Sequence, residues 1–182
     1  AYIGVHFVAA NIWTMFGCYH TNYAYGVLIE NQDTPDAGDS TITECVFDAG
    51  GATGVAIAQR SSGGLRITNN KILNGDYGYV GQYDSAPSMT SILLITGNSM
   101  ESQATAAIAL NSSDSTTFSF VIIDGNQFSV SASAKGISVE NPGYEFIDSM
   151  LIGGNIFNLG NSATAIVLER GTRVTIAPNL IS

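Results

Sequence analysis

The chain has 182 residues, 45% of them hydrophobic and only 12% charged, which is one domain's worth of sequence with enough apolar matter to fill an extended core. Lys+Arg 6 against Asp+Glu 15 gives a net charge of −9, and Arg60, Arg66, Lys71, Lys135, Arg170 and Arg173 form no run, so neither a nucleic-acid footprint nor attraction to anionic membranes is indicated. No apolar run is long enough to span a bilayer, and the two cysteines, Cys18 and Cys45, imply no disulfide framework.

Residues 1–41 are the least regular part. Ile3 to Val8 reads as a strand, and Val8-Ala9-Ala10-Asn11-Ile12-Trp13 reads as an apolar phrase around an Asn corner. Thr34 to Ser40 reads as a loop. From residue 42 onward one phrase recurs: an apolar residue, two small or polar residues, Asn, any residue, then a large apolar residue. Its copies are Ile42-Thr43-Glu44-Cys45-Val46-Phe47, Ile67-Thr68-Asn69-Asn70-Lys71-Ile72, Ile95-Thr96-Gly97-Asn98-Ser99-Met100, Ile123-Asp124-Gly125-Asn126-Gln127-Phe128, Ile152-Gly153-Gly154-Asn155-Ile156-Phe157 and Ile176-Ala177-Pro178-Asn179-Leu180-Ile181. The Asn-equivalent positions 45, 70, 98, 126, 155 and 179 are separated by 25, 28, 28, 29 and 24 residues. Asn11 as a further corner would put a 34-residue step before Cys45, with the excess in loops.

Each unit carries a second apolar phrase opened by a small residue: Gly26-Val27-Leu28-Ile29, Gly54-Val55-Ala56-Ile57, Gly78-Tyr79-Val80-Gly81, Ala107-Ile108-Ala109-Leu110, Gly136-Ile137-Ser138-Val139 and Ala165-Ile166-Val167-Leu168. The segments between are rich in Asn, Gly and Ser, and no helical period of useful length appears. A fixed period of this size is the mark of a repeat architecture. Two or three short strands per unit, stacked unit on unit, predict an all-β solenoid of about seven coils, ~30–35 Å long at ~4.8 Å per coil. Inward residues alternate with outward ones, so Ile137 and Val139 face in while Ser138 and Glu140 face out. The Asn amide satisfies backbone groups at the corner and bonds to its counterparts in a ladder. Cys45, at an Asn position, packs as a small hydrophobe. The competing reading is a β-sandwich with regular turns, which has no reason to repeat the same Asn phrase.

The Asn-x-Phe coil phrase resembles the right-handed, single-stranded parallel β-helices of the pectin-lyase-like type, and among them the shafts of bacteriophage tailspikes and capsule depolymerases. The resemblance spans 42–182 clearly and 1–41 loosely. No phrase matches the catalytic signatures of pectate lyases or polygalacturonases. The resemblance implies a homotrimeric virion component, acting outside the cell, that binds a bacterial capsule or O-antigen polysaccharide and cleaves it by hydrolysis or elimination. The uncapped strand at Ala1 to Val8 and the coil that stops at Ser182 suggest that 1–182 is a single β-helix domain cut from a longer spike. Alternatives of a different class are a non-catalytic receptor-binding or structural shaft, and an adhesin or autotransporter passenger.

Stacking converts equal spacing into columns. Four residues past each small opening residue are Glu30, Ala58, Gln82, Asn111, Glu140 and Glu169. Glu140 and Glu169 would then be outward neighbours ~5 Å apart, the carboxylate spacing of a retaining glycosidase. Crowding of like charges would raise one pKa and divide the acid and base roles between them. They are the candidate catalytic pair, with Arg170 placed to hold an anionic sugar; solvated glutamates relieved by Arg170 or Lys135 are the plain structural reading. Tyr77, Tyr83, Asn111 and Tyr144, with Phe146 beside the last, are candidate sugar contacts through ring stacking and hydrogen bonding, while Tyr79 beside Gly81 can equally fill the core. A third cluster, His20 with Tyr19, Tyr23, Tyr25, Glu30 and Asp33, would suit elimination from uronic acids. No cofactor is called for, and His6 and His20 are not spaced as metal ligands.

Overall fold

In a computed structural model, residues 2–8, 12–30, 40–51, 53–60, 63–83, 91–112, 118–140, 147–169 and 171–182 are described, residues 82, 83, 91 and 112 by their backbone alone. The strands fall into three parallel sheets of seven, and the chain visits the sheets in strict rotation. Sheet A holds β1 (Ile3–Val8), β4 (Tyr25–Glu30), β7 (Val55–Gln59), β10 (Tyr77–Tyr83), β13 (Ala106–Ser112), β16 (Lys135–Val139) and β19 (Thr164–Leu168). Sheet B holds β2 (Thr14–Phe16), β5 (Ser40–Thr43), β8 (Leu65–Thr68), β11 (Ser91–Thr96), β14 (Phe118–Asp124), β17 (Ser149–Gly153) and β20 (Arg173–Ile176). Sheet C holds β3 (Tyr19–Thr21), β6 (Val46–Asp48), β9 (Lys71–Leu73), β12 (Ser99–Glu101), β15 (Gln127–Val130), β18 (Ile156–Leu159) and β21 (Leu180–Ile181). Each coil is one strand from each sheet, and seven coils make a parallel β-helix, as the repeat predicts.

The Asn phrase is the corner between sheets B and C. The residue before the Asn position is left-handed in the first six coils: Gly17, Glu44, Asn69, Gly97, Gly125 and Gly154 have φ between 54° and 67°, whereas Pro178 precedes Asn179 in the last. That conformation suits Gly and Asn and turns the strand sharply. The following Asn is buried and bridges coils. Asn98 Oδ1 accepts from the Asn70 backbone N–H at 2.9 Å and from Asn70 Nδ2 at 3.0 Å. Its own Nδ2 donates to Ile67 O at 2.9 Å and to Asn126 Oδ1 at 3.0 Å. Asn126, Asn155 and Asn179 continue the same pattern. Cys45 takes the Asn position one coil earlier, donating its N–H to Asn70 Oδ1 at 2.9 Å and burying all but 1% of its surface.

Among the described residues the first corner between sheets B and C is at Cys18. Asn11 itself lies outside the described residues, and the position aligned with Cys45 is Cys18, whose N–H donates to Cys45 Sγ at 3.4 Å across 27 residues. The first coil therefore keeps the common period, and its phrase is Met15-Phe16-Gly17-Cys18-Tyr19-His20. A Cys and a His at the two positions that elsewhere carry Asn and a large apolar residue hid it.

Two places past the ladder runs the inward column of sheet C, in which His20, Phe47, Ile72, Met100, Phe128, Phe157 and Ile181 are register partners. Phe47, Ile72, Met100, Phe128 and Phe157 are fully buried, and Phe128 stacks on Phe157 with centroids 4.8 Å apart. Ile181, in the last coil, is 56% exposed. This column explains the small residue of the second phrase. A Cβ on Gly26 would sit 2.8 Å from Phe47 Cδ1, and one on Gly136 2.7 Å from Phe157 Cε1. Sheet A therefore turns two consecutive positions inward, Gly or Ala and then a large residue, before alternation resumes.

His20 stacks on Phe47 with centroids 5.3 Å apart, and its buried Nε2 has no hydrogen-bond partner. Tyr23 meets Phe47 edge-on and its hydroxyl is likewise buried without a partner, so burial, aided by the Asp48 charge, pushes its ionisation up. The His20/Tyr23/Tyr25/Glu30 grouping is thus divided: His20 and Tyr23 pack into the core, Tyr25 and Glu30 face outward, and Asp33 lies outside the described residues.

Two predictions follow from the core. Asn98→Ala removes a buried rung with bonds to both neighbouring coils and costs about 2–4 kcal/mol in chemical denaturation; Asn179→Ala, on the partly buried last rung, costs clearly less. Burial lowers the His20 pKa below 6.5. The unfolded chain then takes up the proton more readily than the folded one, so stability falls as pH drops below 6.5. His20→Phe, which keeps the stack, flattens that limb of a melting-temperature profile between neutral and mildly acid pH.

Candidate functional site

The outward face of sheet A carries three parallel rows. The first is Tyr25, Val55, Tyr77, Ala106, Lys135 and Thr164, in direct register. The middle row is Leu28, Ala58, Val80, Ala109, Ser138 and Val167. The third is Glu30, Arg60, Gln82, Asn111, Glu140 and Glu169. In the middle of the face Ala58, Ala109 and Ser138 are small, with Tyr25, Tyr77 and Lys135 on one side and Arg60, Asn111 and Glu140 on the other, which makes a groove along the helix axis. Ala58, Ala109 and Ser138 face away from the core yet are at most 4% exposed.

A cavity of about 310 Å³ lies in this groove, lined by Tyr25, Val55, Ala58, Arg60, Tyr77, Val80 and Asn111. A second of about 210 Å³ adjoins it through Tyr25 and Val55 and adds Thr53 and Asp76. Tyr77 and Asn111, singled out from the sequence as sugar contacts, therefore share one cavity. Tyr83 continues β10 on the same sheet. Tyr144, Phe146 and Arg170 lie outside the described residues. Tyr79 fills the core, fully buried, and its hydroxyl donates to Gln59 Oε1 at 2.8 Å.

One wall carries a charge cluster that the sequence reading missed. Glu30 Oε2 is 3.0 Å from His6 Nε2, and Arg60 Nη1 donates to Glu30 Oε1 at 3.1 Å. Arg60 Nη2 donates to the Tyr25 hydroxyl at 2.9 Å, and its guanidinium lies 5.3 Å from the Tyr25 ring centroid. The omission has a definite origin. Aligning Gly54 with Gly26 puts Ala58 beside Glu30, but the inward small residue of that coil is Ala56. Gly54 belongs to the preceding turn, with φ 140°, so the row shifts by two and Arg60 replaces Ala58. The sequence signal was Ile57, the register partner of Val27.

At the other end of the groove the expected register holds: Val139 pairs with Leu168, and the Glu169 N–H donates to Val139 O at 2.9 Å. Glu140 and Glu169 occupy equivalent positions on adjoining coils. The expected electrostatics do not follow. Hydrogen bonds from Lys135 Nζ and from Ser138 Oγ, the latter at 2.8 Å, converge on Glu140 Oε1 and hold its pKa below the ordinary 4.5. Glu140 is thus a stabilised carboxylate rather than one raised by its neighbour, and Glu169 is exposed. Among the described residues no group of three or more His, Cys, Asp or Glu side chains is placed to hold a metal ion.

These features define a parallel β-helix with a lined external groove. Residues 3–181 match the family described as right handed beta helix region, and the chain belongs to that family. No curated protein and no solved structure matches it at a significant level.

The Glu140 contacts set a pH dependence. A carboxyl lowered in the folded state contributes stability that is complete above its ordinary pKa of 4.5 and is lost as pH falls through the lowered value. With a partly exposed pair the effect is under about 1 kcal/mol. Comparing denaturation of the wild type and Glu140→Gln at neutral pH and near pH 3 should show the difference between them shrinking in acid.

Proposed function

We propose that the chain is a tailspike-like protein that binds a bacterial surface polysaccharide along the outer groove of sheet A and cleaves it. The observation that carries this reading is the cavity with Tyr25 and Tyr77 on one side, Ala58 and Val80 as floor, and Arg60 and Asn111 opposite. Sugars offer apolar ring faces to aromatic and aliphatic surface, and hydroxyls to amides, guanidinium groups and carboxylates. The groove supplies both kinds of surface along a line, which suits a chain rather than a compact ligand.

Cleavage is assigned to Glu140 and Glu169. A coil step of ~4.8 Å is close to the carboxylate separation of a retaining hydrolase. Glu140, kept ionised by Lys135 and Ser138, is the nucleophile, and the exposed Glu169 the proton donor. Tyr83, Tyr144 and Arg170 extend the sugar contacts in this reading. The protein works as a homotrimer on the virion, outside the host cell. A second reading, a receptor-binding or shaft segment that does not cleave, is favoured by one feature: one carboxylate oxygen of Glu140 already takes hydrogen bonds from Lys135 and Ser138.

The test is a panel of capsular and O-antigen polysaccharides, assayed for binding, new reducing ends and the ultraviolet absorbance of unsaturated uronate. The assignment expects binding and new ends without absorbance. Tyr77→Ala should weaken binding roughly tenfold, a loss of about 1.4 kcal/mol. Glu140→Gln with Glu169→Gln should abolish cleavage while leaving binding and folding in place. Full cleavage by the double variant removes these carboxylates from the mechanism, and absorbance would point to elimination instead.

A further inference from the structure

The corner ladder changes chemistry at its N-terminal end. From Asn70 onward each rung is an amide that both accepts from and donates to its neighbours. Between the first and second coils the rungs are Cys18 and Cys45, and the ladder contacts left are the Cys18 N–H on Cys45 Sγ at 3.4 Å and Cys45 Sγ on Met15 O at 3.8 Å. Sulfur is a weak acceptor and donor, so this joint lacks the paired amide bonds of the others.

The geometry of the joint is that of a cross-coil pair. Met15, Phe16, Tyr19 and His20 are in register with Ile42, Thr43, Val46 and Phe47 on either side of the two cysteines. Val46 N–H donates to Cys18 O at 2.8 Å, fixing the backbones at one coil step. Positions one step apart have Cα atoms ~4.8 Å from each other, inside the ~4.4–6.8 Å range that a disulfide spans. The two thiols also lie alike on their coils, each directed to the carbonyl two residues before it: Cys18 Sγ to Phe16 O at 3.5 Å, and Cys45 Sγ to Thr43 O at 3.3 Å. Their Cβ atoms therefore point the same way, about one coil step of ~4.8 Å apart, and closing the bridge draws them together to the ~3.5–4.5 Å that a disulfide spans.

We propose that Cys18 and Cys45 are an oxidisable pair, and that a small-molecule disulfide of the glutathione class converts them into a bridge stapling the first coil to the second. Cys18, half-buried, is the thiol that reagent reaches; Cys45, 1% exposed, is the one that closes the bridge. The Cys18 thiolate attacks one sulfur of the small disulfide and expels one equivalent of small thiol. The Cys45 thiolate then attacks Cys18 Sγ and expels the second. Two protein S–H bonds and one small S–S bond are exchanged for one protein S–S bond and two small thiols. The two electrons lost by the cysteines reduce the reagent. The bridge closes a 27-residue separation and supplies by covalent bond what the amide rungs supply elsewhere.

The experiment compares the whole chain reduced with dithiothreitol and the same chain equilibrated with oxidised glutathione, both freed of reagent. Thiols are counted in denaturant, unreduced peptides are mapped by mass, and melting is followed for each. The expected result is two titratable thiols in the first sample and none in the second. The peptides bearing Cys18 and Cys45 should be joined within one chain, and the melting temperature should rise by about 5–10 °C, reversed by dithiothreitol. Cys18→Ser, at the more exposed position, should fold, melt like the reduced wild type in both samples, and form no bridge. The proposal fails if both thiols survive, if glutathione stays on Cys18 without closure, if the link joins two chains, or if the bridged form melts no higher than the reduced one.

Discussion

Everything in this molecule depends on the hydrogen-bonded corner between sheets B and C. A solenoid turn must reverse direction in a few residues without leaving buried backbone groups unpaired, since each such group costs about 1–3 kcal/mol. The chain solves this with a left-handed residue followed by an Asn whose amide bonds coils on both sides. One residue thus makes the turn, satisfies the polar groups the turn exposes, and sets the rise from coil to coil. With the corner fixed, the large residue two places later has only one direction to point, and the inward column of sheet C is a consequence.

That column in turn shapes the face on which function is proposed. Phe47, Met100 and Phe157 reach across the narrow core to sheet A, and opposite them stand Gly26, Gly78 and Gly136, where an added Cβ would clash. The small residue forces a second inward position in each sheet A strand and so fixes which later residues emerge outward. The groove with Tyr25, Tyr77, Arg60 and Asn111 is therefore set by packing on its far side. Substituting a core residue would displace it as surely as changing the groove itself.

The groove is electrostatically settled rather than open. Glu30 is shared by His6 and Arg60, and Glu140 by Lys135 and Ser138. Paired charges on a surface contribute little to stability. What they do is fix the positions of Tyr25, Glu30, Arg60, Lys135 and Glu140 along the groove. The same pairing removes the simple crowded-carboxylate picture, because the groups that order Glu140 also stabilise its charge.

The sequence by itself determined the architecture. The Asn phrase, its period and the large residue after it are local rules repeated in every coil, and repetition makes local rules readable. Asn70, Asn98, Asn126 and Asn155 are ladder rungs because the amide is the group that the corner requires, and Ile137 and Val139 are inward because strands alternate. Only the tertiary structure decided the site. Whether Ala58 or Arg60 stands beside Glu30 depends on whether Val55 or Ile57 pairs with Val27, a contact between neighbouring coils. Whether Glu140 is acid or carboxylate depends on Lys135, five residues away in sequence but on the same outward face. His20 looked like a base beside tyrosines, yet its register with Phe47 puts it in the core. Periodicity is written along the chain, whereas a site is made by neighbours that stacking brings together, and a shift of two residues in one coil is enough to exchange them.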